Sequence, residues 1–379
     1  MRVLMFYHSL VSDWNHGNAH FLRGIASELA ARGHRVECFE PVDGWSRRHL
    51  VADHGTAPIA AFGRAYPDLL ARTYTPPAPD LDAVLDGADL VIVHEWNPHE
   101  LVRRIGEHHR DNGGYRLFFH DTHHRAVTDP SGIAAYELRH YDGVLAFGEV
   151  LRDLYLRHGW AKDAWTWHEA ADTRLFRPLP RTTADGDLVW IGNWGDDERA
   201  EELSTFLLEP VRALGLRARV HGVRYPADAL ARLDAAGIAY AGWLPNIEVP
   251  AVFSRFACTV HVPRRPYARA LPGIPTIRMF EALACGIPLA SAPWDDAEGL
   301  FRPGTDYLVA NDGDAMRRAM RALVSDPALA AELGRNGLET IRRRHTCRHR
   351  VDELLAIAGF APDAGDAHRA PRADLEPVR

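Results

Sequence analysis

Residues 271–293 read LPGIPTIRMFEALACGIPLASAP and predict a loop, a helix, a turn and a buried strand, in that order. Pro275 suits the first turn of a helix, where its missing N–H costs nothing. Apolar residues then recur at helical spacing, and Gly286 is typical of a helix end. Residues 287–292 form a short apolar run that fits a strand covered on both faces by helices. The stretch therefore predicts an α/β fold.

The helix in this stretch carries a carboxylate, Glu281, among small and apolar neighbours. A buried carboxylate needs a partner, because an unpaired buried charge is costly. In one interpretation it forms a salt bridge with Arg278, three residues earlier on the same face. In the other, Glu281 accepts hydrogen bonds from a pair of ligand hydroxyls while Arg278 faces an anion. The spacing of the two residues leaves both interpretations open.

Length and composition restrict the class of protein. A chain of 379 residues indicates two domains, and 46% hydrophobic with 25% charged residues is ordinary for a soluble globular protein. A net charge of −7 argues against a general nucleic-acid surface. The four cysteines form no CxxC pair, and the apolar run at the N-terminus is too short for a signal peptide or a membrane span. We therefore expect a cytoplasmic protein with at most peripheral membrane contact.

The first half of the chain predicts a doubly wound α/β domain, because strands and helices alternate along most of it. The first predicted elements are strand 2–8, helix 19–32 and strand 35–39. Residues 45–79 contain several prolines and are expected to leave the sheet. Gly17 and Asn18 precede the first helix, where free N–H groups favour anions. Asn18 is also a common helix cap, so a ligand is not the only explanation.

Two predicted strands of this half end in histidine-rich sequences, HEWN at 94–97 and HDTHHRAV at 120–127. Clusters of histidine and aspartate can bind zinc, but no three of these residues have a usual ligand spacing. We therefore predict no metal site. Histidines at the carboxyl edge of a sheet can instead donate to phosphate or take a proton near neutral pH.

The second half begins with LVWIGNWGDDER at 188–199, which predicts a strand, a glycine loop and the start of a helix. Gly192 allows close approach of the backbone to a ligand. The acidic run at 196–198 would repel a diphosphate beside it. We therefore expect the ligand against Gly192 and Asn193 and away from the acidic run.

Several of these sequences resemble a known family. FEALACGIPLASAP at 280–293 is similar to the signature of the glycosyl transferase group 1 family, which has the GT-B architecture. HTCRHRVDELLAI at 345–357 and the arginine before Phe280 resemble the CgeB-like (spore-maturation-type) branch. The resemblance implies two doubly wound, Rossmann-like domains that face each other across a cleft. It also implies that Glu281 holds the ribose of a nucleotide sugar.

The resemblance extends to other site residues. It implies that His120 and Asp121 face the sugar and act in catalysis, and that the loop with Gly17 and Asn18 faces the ligand. It places the nucleotide base near residues 243–246, with Trp243 and Asn246 as contacts. Trp243 follows a predicted strand, however, and a tryptophan there is more often part of the core.

The chain also departs from the family pattern. The arginine and lysine that usually follow the first strand of the second domain are missing after Asn193. Arg264 and Arg278 are expected to supply this charge, because arginine matches phosphate oxygens, although a solvated basic loop is the plainer alternative. Gly273 stands where most members have a second glutamate, which weakens any claim of a retaining mechanism.

These observations predict a glycosyltransferase that moves a sugar from a nucleotide diphosphate sugar to an acceptor hydroxyl, without a metal or other cofactor. The acceptor would be a glycan, a lipid-linked molecule or a small molecule, and no nucleic acid is involved. A sugar-nucleotide epimerase of the same fold and a non-catalytic binding protein are the alternatives. The expected organisation is an acceptor domain at 1–178, a donor domain at 179–345, a helix at 346–360 that packs back on the first domain, and a disordered tail at 361–379.

Overall fold

The computed structural model describes residues 1–180 and 184–360, without the side chain of residue 196. The predicted tail at 361–379 and residues 181–183 of the predicted donor domain lie outside the described residues. Two parallel sheets organise the rest, one in each half of the chain. None of the helices in the described ranges has the length and apolar character needed to cross a membrane.

The first sheet has seven parallel strands in the order β3-β2-β1-β4-β5-β6-β7. Its central strands are almost wholly apolar and fully buried, as expected for a sheet covered on both faces. The strands are β1 Arg2–Phe6, β2 Arg35–Pro41, β3 Leu70–Tyr74, β4 Leu90–His94, β5 Arg116–Asp121, β6 Gly143–Ala146 and β7 Ala164–Thr166. The helices are α1 Ala19–Ala31, α2 Trp45–His54, α3 Ala57–Ala65, α4 Leu81–Leu85, α5 His99–Asn112, α6 Arg125–Thr128, α7 Pro130–Ala134 and α8 Glu149–Arg157.

The second sheet has six parallel strands in the order β10-β9-β8-β11-β12-β13. The strands are β8 Gly186–Ile191, β9 Ala218–His221, β10 Ile238–Tyr240, β11 Phe256–His261, β12 Leu289–Ser291 and β13 Leu308–Val309. The helices are α9 Ala200–Leu203, α10 Glu209–Leu214, α11 Ala227–Ala235, α12 Val249–Phe253, α13 Arg265–Ala270, α14 Ile277–Cys285, α15 Gly313–Ser325, α16 Pro327–Arg344 and α17 Cys347–Ile357. The two halves are therefore both doubly wound, as the alternation predicts.

Three local expectations are wrong. Residues 45–79 do not leave the sheet entirely, because β3 pairs in parallel with β2 and forms its edge. The sequence also favours a helix at 133–140, but the helix in this region is α7, which ends at Ala134. Pro275 lies before α14, whose N-cap is Thr276. In each case the local sequence preference did not give the bounds of the strand or helix, because these bounds depend on the elements that pack against it.

The last helix, α17, packs across α1 of the first sheet's layer. The approach is close: a Cβ atom on Gly24 would lie 2.4 Å from Cys347 Sγ, so only glycine fits there. Trp167 Nε1 donates to the carbonyl of Arg350 at 2.8 Å, and Arg32 forms an ion pair with Asp352 at 2.6 Å. The end of the chain is thereby anchored on the first half.

Candidate active site

A cavity of about 730 Å³ lies between the two sheets. Its walls come from the segments that follow β1, β4 and β5 on one side and β8, β9 and β11 on the other. The carboxyl edges of both sheets therefore converge on one space, which is where ligands bind in doubly wound folds. We call the two sides the first-domain wall and the second-domain wall.

Arg199 is the main charged group on the second-domain wall. Its guanidinium donates to the backbone carbonyls of Asn193, Trp194 and Val262, and it forms no ion pair with a carboxylate whose side chain the structure describes. Burial, with the nearby charge of Arg264, lowers its pKa to about 9, so it remains cationic at neutral pH. A partly buried cation held by carbonyls, with its guanidinium 5.1 Å from the centre of the Trp190 ring, is suited to an anionic ligand. We did not expect this residue from the sequence, because it directly follows the acidic run.

Arg264 and Arg278 also line the cavity, as the sequence predicts for an anion site. Arg264 pairs with Glu198 at 2.7 Å, and Arg278 pairs with Glu281. Both arginines are therefore paired with a carboxylate and still line the cavity. Arg265 and Arg269 do not line the cavity.

Gly192 and Asn193 lie in the cavity wall directly after β8. The side chain of Asn193 is engaged at both ends: its Nδ2 donates to Asn15 of the first domain, and its Oδ1 accepts from Val223 N at 2.8 Å. Asn193 therefore joins the two walls, and its side chain is not available to a ligand in this arrangement.

Trp243 and Asn246 line the same wall. Within the described chain, the buried Trp243 Nε1 and Asn246 Oδ1 have no hydrogen-bond partner. Asn246 N donates to Asp13 Oδ2 at 3.0 Å, and its Nδ2 donates to Glu281 Oε1 at 3.0 Å. An unpaired donor and an unpaired acceptor thus lie where the base was predicted.

Glu281 is fully buried and is not part of the cavity wall. Its oxygens contact Arg278, Asn246 Nδ2 and His20 Nδ1, the last at 3.2 Å. Burial alone would raise the pKa of Glu281, but Arg278 and the other partners lower it overall. The salt bridge with Arg278 is therefore observed, and a ribose could reach Glu281 only if these partners moved.

On the first-domain wall, Gly17 and Asn18 line the cavity at the start of α1. The Asn18 side chain does not cap the helix but donates to Thr122 O at 3.3 Å. The free N–H groups of this helix end therefore remain near the cavity.

His120 and Asp121 do not line the cavity in this structure, and their contact with a sugar stays a prediction. Both are fully buried within β5, and the cavity wall begins one residue later, at Thr122. Burial lowers the pKa of His120 to about 3. Asp121 accepts from Tyr155 Oη at 2.8 Å and from His123 N at 2.9 Å, so it orients the following loop.

His123 and His124 reach the cavity instead. Burial lowers the pKa of each, and both are neutral at neutral pH. His124 Nε2 lies 3.5 Å from Glu198 Oε2 of the other domain. Among the described residues, no three or more histidines, cysteines or acidic residues are arranged to hold a metal ion.

Glu169 is a cavity residue that the sequence analysis did not single out. It is buried, and within the described chain its Oε1 has no hydrogen-bond partner. Burial raises its pKa well above the usual value, and the charge of Glu281 raises it further.

The pKa of Glu169 is higher in the folded protein than in the unfolded chain, where it is about 4.5. Glu169 therefore contributes its full stabilisation below pH 4.5, and this contribution is lost as the pH rises toward the pKa of the folded state. Glu169→Gln resembles the protonated form and lacks this loss. We expect the variant to gain stability relative to the wild type by up to about 1.4 kcal/mol per pH unit above pH 4.5. Urea unfolding at pH 5 to 8 measures the difference, and a constant difference would contradict the assignment.

Two doubly wound domains with a cleft between their carboxyl edges define the GT-B fold. Residues 199–356 match a family described as glycosyl transferase-like. The match spans 158 of the 379 residues, all of them in the second half of the chain. A comparison with curated protein sequences found no match.

Solved structures with this fold include glycosyltransferases of several sources. HepE of Anabaena, in complex with UDP and glucose, is 14% identical with a TM-score of 0.66, over 94% of this chain and 99% of that chain. Sucrose-phosphate synthase of Thermosynechococcus elongatus is 16% identical with a TM-score of 0.61, over 94% and 98%. T4 phage BGT, in complex with UDP-glucose, is 12% identical with a TM-score of 0.59, over 95% and 100%. At these identities the likeness concerns the fold.

Proposed function

We propose that this protein transfers a sugar from a nucleotide diphosphate sugar to an acceptor hydroxyl, in the synthesis of a cell-surface glycan or a secondary metabolite, and that it belongs to the CgeB-like branch. It would act in the cytoplasm, with residues 1–178 as the acceptor domain and 179–345 as the donor domain. The observation that carries the proposal is the cavity between two domains with Arg199, Arg264 and Arg278 on one wall. Three cations at one place suit a diphosphate.

The donor would lie along the second-domain wall. The diphosphate contacts the three arginines and the backbone at Gly192, and the base lies beside Trp243 and Asn246, whose unpaired polar atoms it can satisfy. HepE and T4 phage BGT were solved with uridine nucleotides. A uridine diphosphate sugar is therefore the first donor to test.

Catalysis would rest on stabilising the leaving diphosphate. Positive charge that is fixed before the reaction can neutralise a developing anion without a metal. Glu169, His123 and His124 are among the titratable groups of the cavity lining, and we propose that they contact the sugar while His120 and Asp121 support them from β5. T4 phage BGT has also been solved with UDP and Mn²⁺, so dependence on a divalent ion has to be measured directly.

A thermal-unfolding panel with UDP, GDP, TDP, ADP and CMP, each with and without Mg²⁺, tests the donor site. A nucleotide at about 100 times its dissociation constant adds about 2.7 kcal/mol of stability. We expect a shift with one diphosphate that is the same without Mg²⁺. No shift with any nucleotide would overturn the donor site.

The nucleotide that binds then selects the donor sugars for NMR. Conversion of the donor sugar without an acceptor would indicate the epimerase. Binding without any turnover, with every acceptor tried, would indicate the binding protein. Transfer to an acceptor hydroxyl is the result that we expect.

A further inference from the structure

The two walls of the cavity differ in charge. Of the described residues, all the arginines that line the cavity belong to the second-domain wall, namely Arg199, Arg224, Arg264 and Arg278. The first-domain wall contains no arginine or lysine in its described lining. Two arginines next to this wall are held by carboxylates: Arg125 by Glu95 at 2.9 Å and Arg23 by Asp13 at 3.0 Å. Positive charge for phosphates is thus confined to the donor side.

The polar groups of the first-domain wall include neutral imidazoles. Burial and the charge of Arg125 lower the pKa of His8 to about 3, and burial also lowers the pKa of His123. Within the described chain, the buried Nδ1 atoms of both rings have no hydrogen-bond partner. A neutral imidazole has one nitrogen that donates a hydrogen bond and one that accepts. A hydroxyl group can pair with either nitrogen, because it both donates and accepts.

Aromatic rings accompany these imidazoles. Trp96 lines the cavity with 42% of its surface exposed, and its ring lies 5.0 Å from the His123 ring and 6.2 Å from the His8 ring. Trp45, with 45% exposed, lines the same wall. A large apolar ring beside uncharged donors and acceptors fits a molecule that has an apolar face and a hydroxylated edge.

We infer that the first-domain wall binds an uncharged carbohydrate, held by Trp96, His8 and His123. The inference rests on the proposed function in that this carbohydrate is the acceptor, and it selects one chemical class from the glycans, lipid-linked molecules and small molecules considered above. A phosphorylated or carboxylated acceptor would bury its charge against a wall whose described lining contains no cation, which is costly. The nearby Arg125, whose guanidinium lies 4.4 Å from the centre of the Trp96 ring, is paired with Glu95.

Saturation-transfer NMR on the protein with UDP present tests the inference, with maltose, cellobiose, lactose, glucose 6-phosphate and glucuronic acid as probes. We expect at least one neutral disaccharide to bind at least tenfold more tightly than either charged sugar. Trp96→Ala and His123→Ala should each weaken this binding at least tenfold and leave UDP affinity unchanged. His123→Gln, which keeps an uncharged donor and acceptor, should restore most of it.

His158→Ala is the matched control, because His158 is an exposed histidine outside the cavity; its disaccharide affinity should equal the wild type. Binding of glucose 6-phosphate as tight as that of the disaccharides would overturn the inference. Binding of UDP without binding of any neutral saccharide would also overturn the inference, but it would still support the proposed donor site. Saccharide binding that requires Trp96 without binding of any nucleotide would support the inference and overturn the proposed donor function.

Discussion

Arg199→Ala is expected to weaken the binding of UDP, or of whichever nucleoside diphosphate binds, by about 100-fold, which corresponds to about 2.8 kcal/mol. Hydrogen bonds to a charged group contribute about 1.5–3 kcal/mol each, and Arg199 donates to backbone carbonyls without an ion pair to a described carboxylate. Arg199→Lys keeps the charge but not the planar fork, so we expect a loss of about tenfold. Isothermal titration calorimetry measures all three affinities.

Two controls make this result specific. Arg265→Ala removes a nearby arginine that pairs with Glu202 at 2.8 Å and does not line the cavity, so it should leave UDP affinity unchanged. Uridine lacks phosphates, so its affinity should be the same for the wild type and Arg199→Ala. Unfolding without nucleotide shows whether the lost bonds to backbone carbonyls destabilise the fold. Equal UDP affinity in Arg199→Ala and the wild type would remove Arg199 from the diphosphate site.

Glu281→Ala is expected to lower the free energy of unfolding by about 3–5 kcal/mol, because it leaves the partly buried Arg278 and two buried polar partners without their anion. Since Arg278 and Asn246 also line the cavity, the variant should weaken nucleotide binding by about 1–3 kcal/mol. Glu339→Ala is the matched control: a helical glutamate paired with Arg343, but 56% exposed. It should cost less than about 1 kcal/mol.

The stabilising effect of Glu281 should depend on pH in a defined direction. Its pKa is lower in the folded state than the usual value of 4.5. Its contribution is therefore full above pH 4.5 and is lost as pH falls through the folded value. Urea unfolding should show a difference between wild type and Glu281→Ala that shrinks as the pH falls below about 4.5. A difference that grew in acid would show that Glu281 is not a stabilised carboxylate.

The sequence predicts most elements of both sheets within a few residues, because buried strands and amphipathic helices leave apolar runs of different period. It also predicts the helix of Glu281 and its ion pair with Arg278 as one of two interpretations. It does not locate β3, whose side chains are mostly exposed. An edge strand of this kind is recognised by its pairing with β2, which local sequence does not encode.

Site residues were predicted less completely, since their positions depend on where a strand ends. β5 extends through Asp121, so His120 and Asp121 are buried and the side chains from Thr122 onward line the cavity. Arg199 was not predicted as a site residue, because it directly follows three acidic residues in the sequence. In the folded protein its guanidinium donates to the carbonyl of Val262.

By itself the sequence determined two α/β domains, the order of their elements and a set of arginines and histidines at strand ends, because periodicity and turn residues act over a few positions. Only the tertiary structure decided which of these side chains share a cavity. It placed the arginines of the cavity on one wall and Trp96 with neutral histidines on the other. The reason is physical: charge, burial and pKa depend on contacts between residues that are far apart in the chain, and these contacts exist only once both sheets are packed.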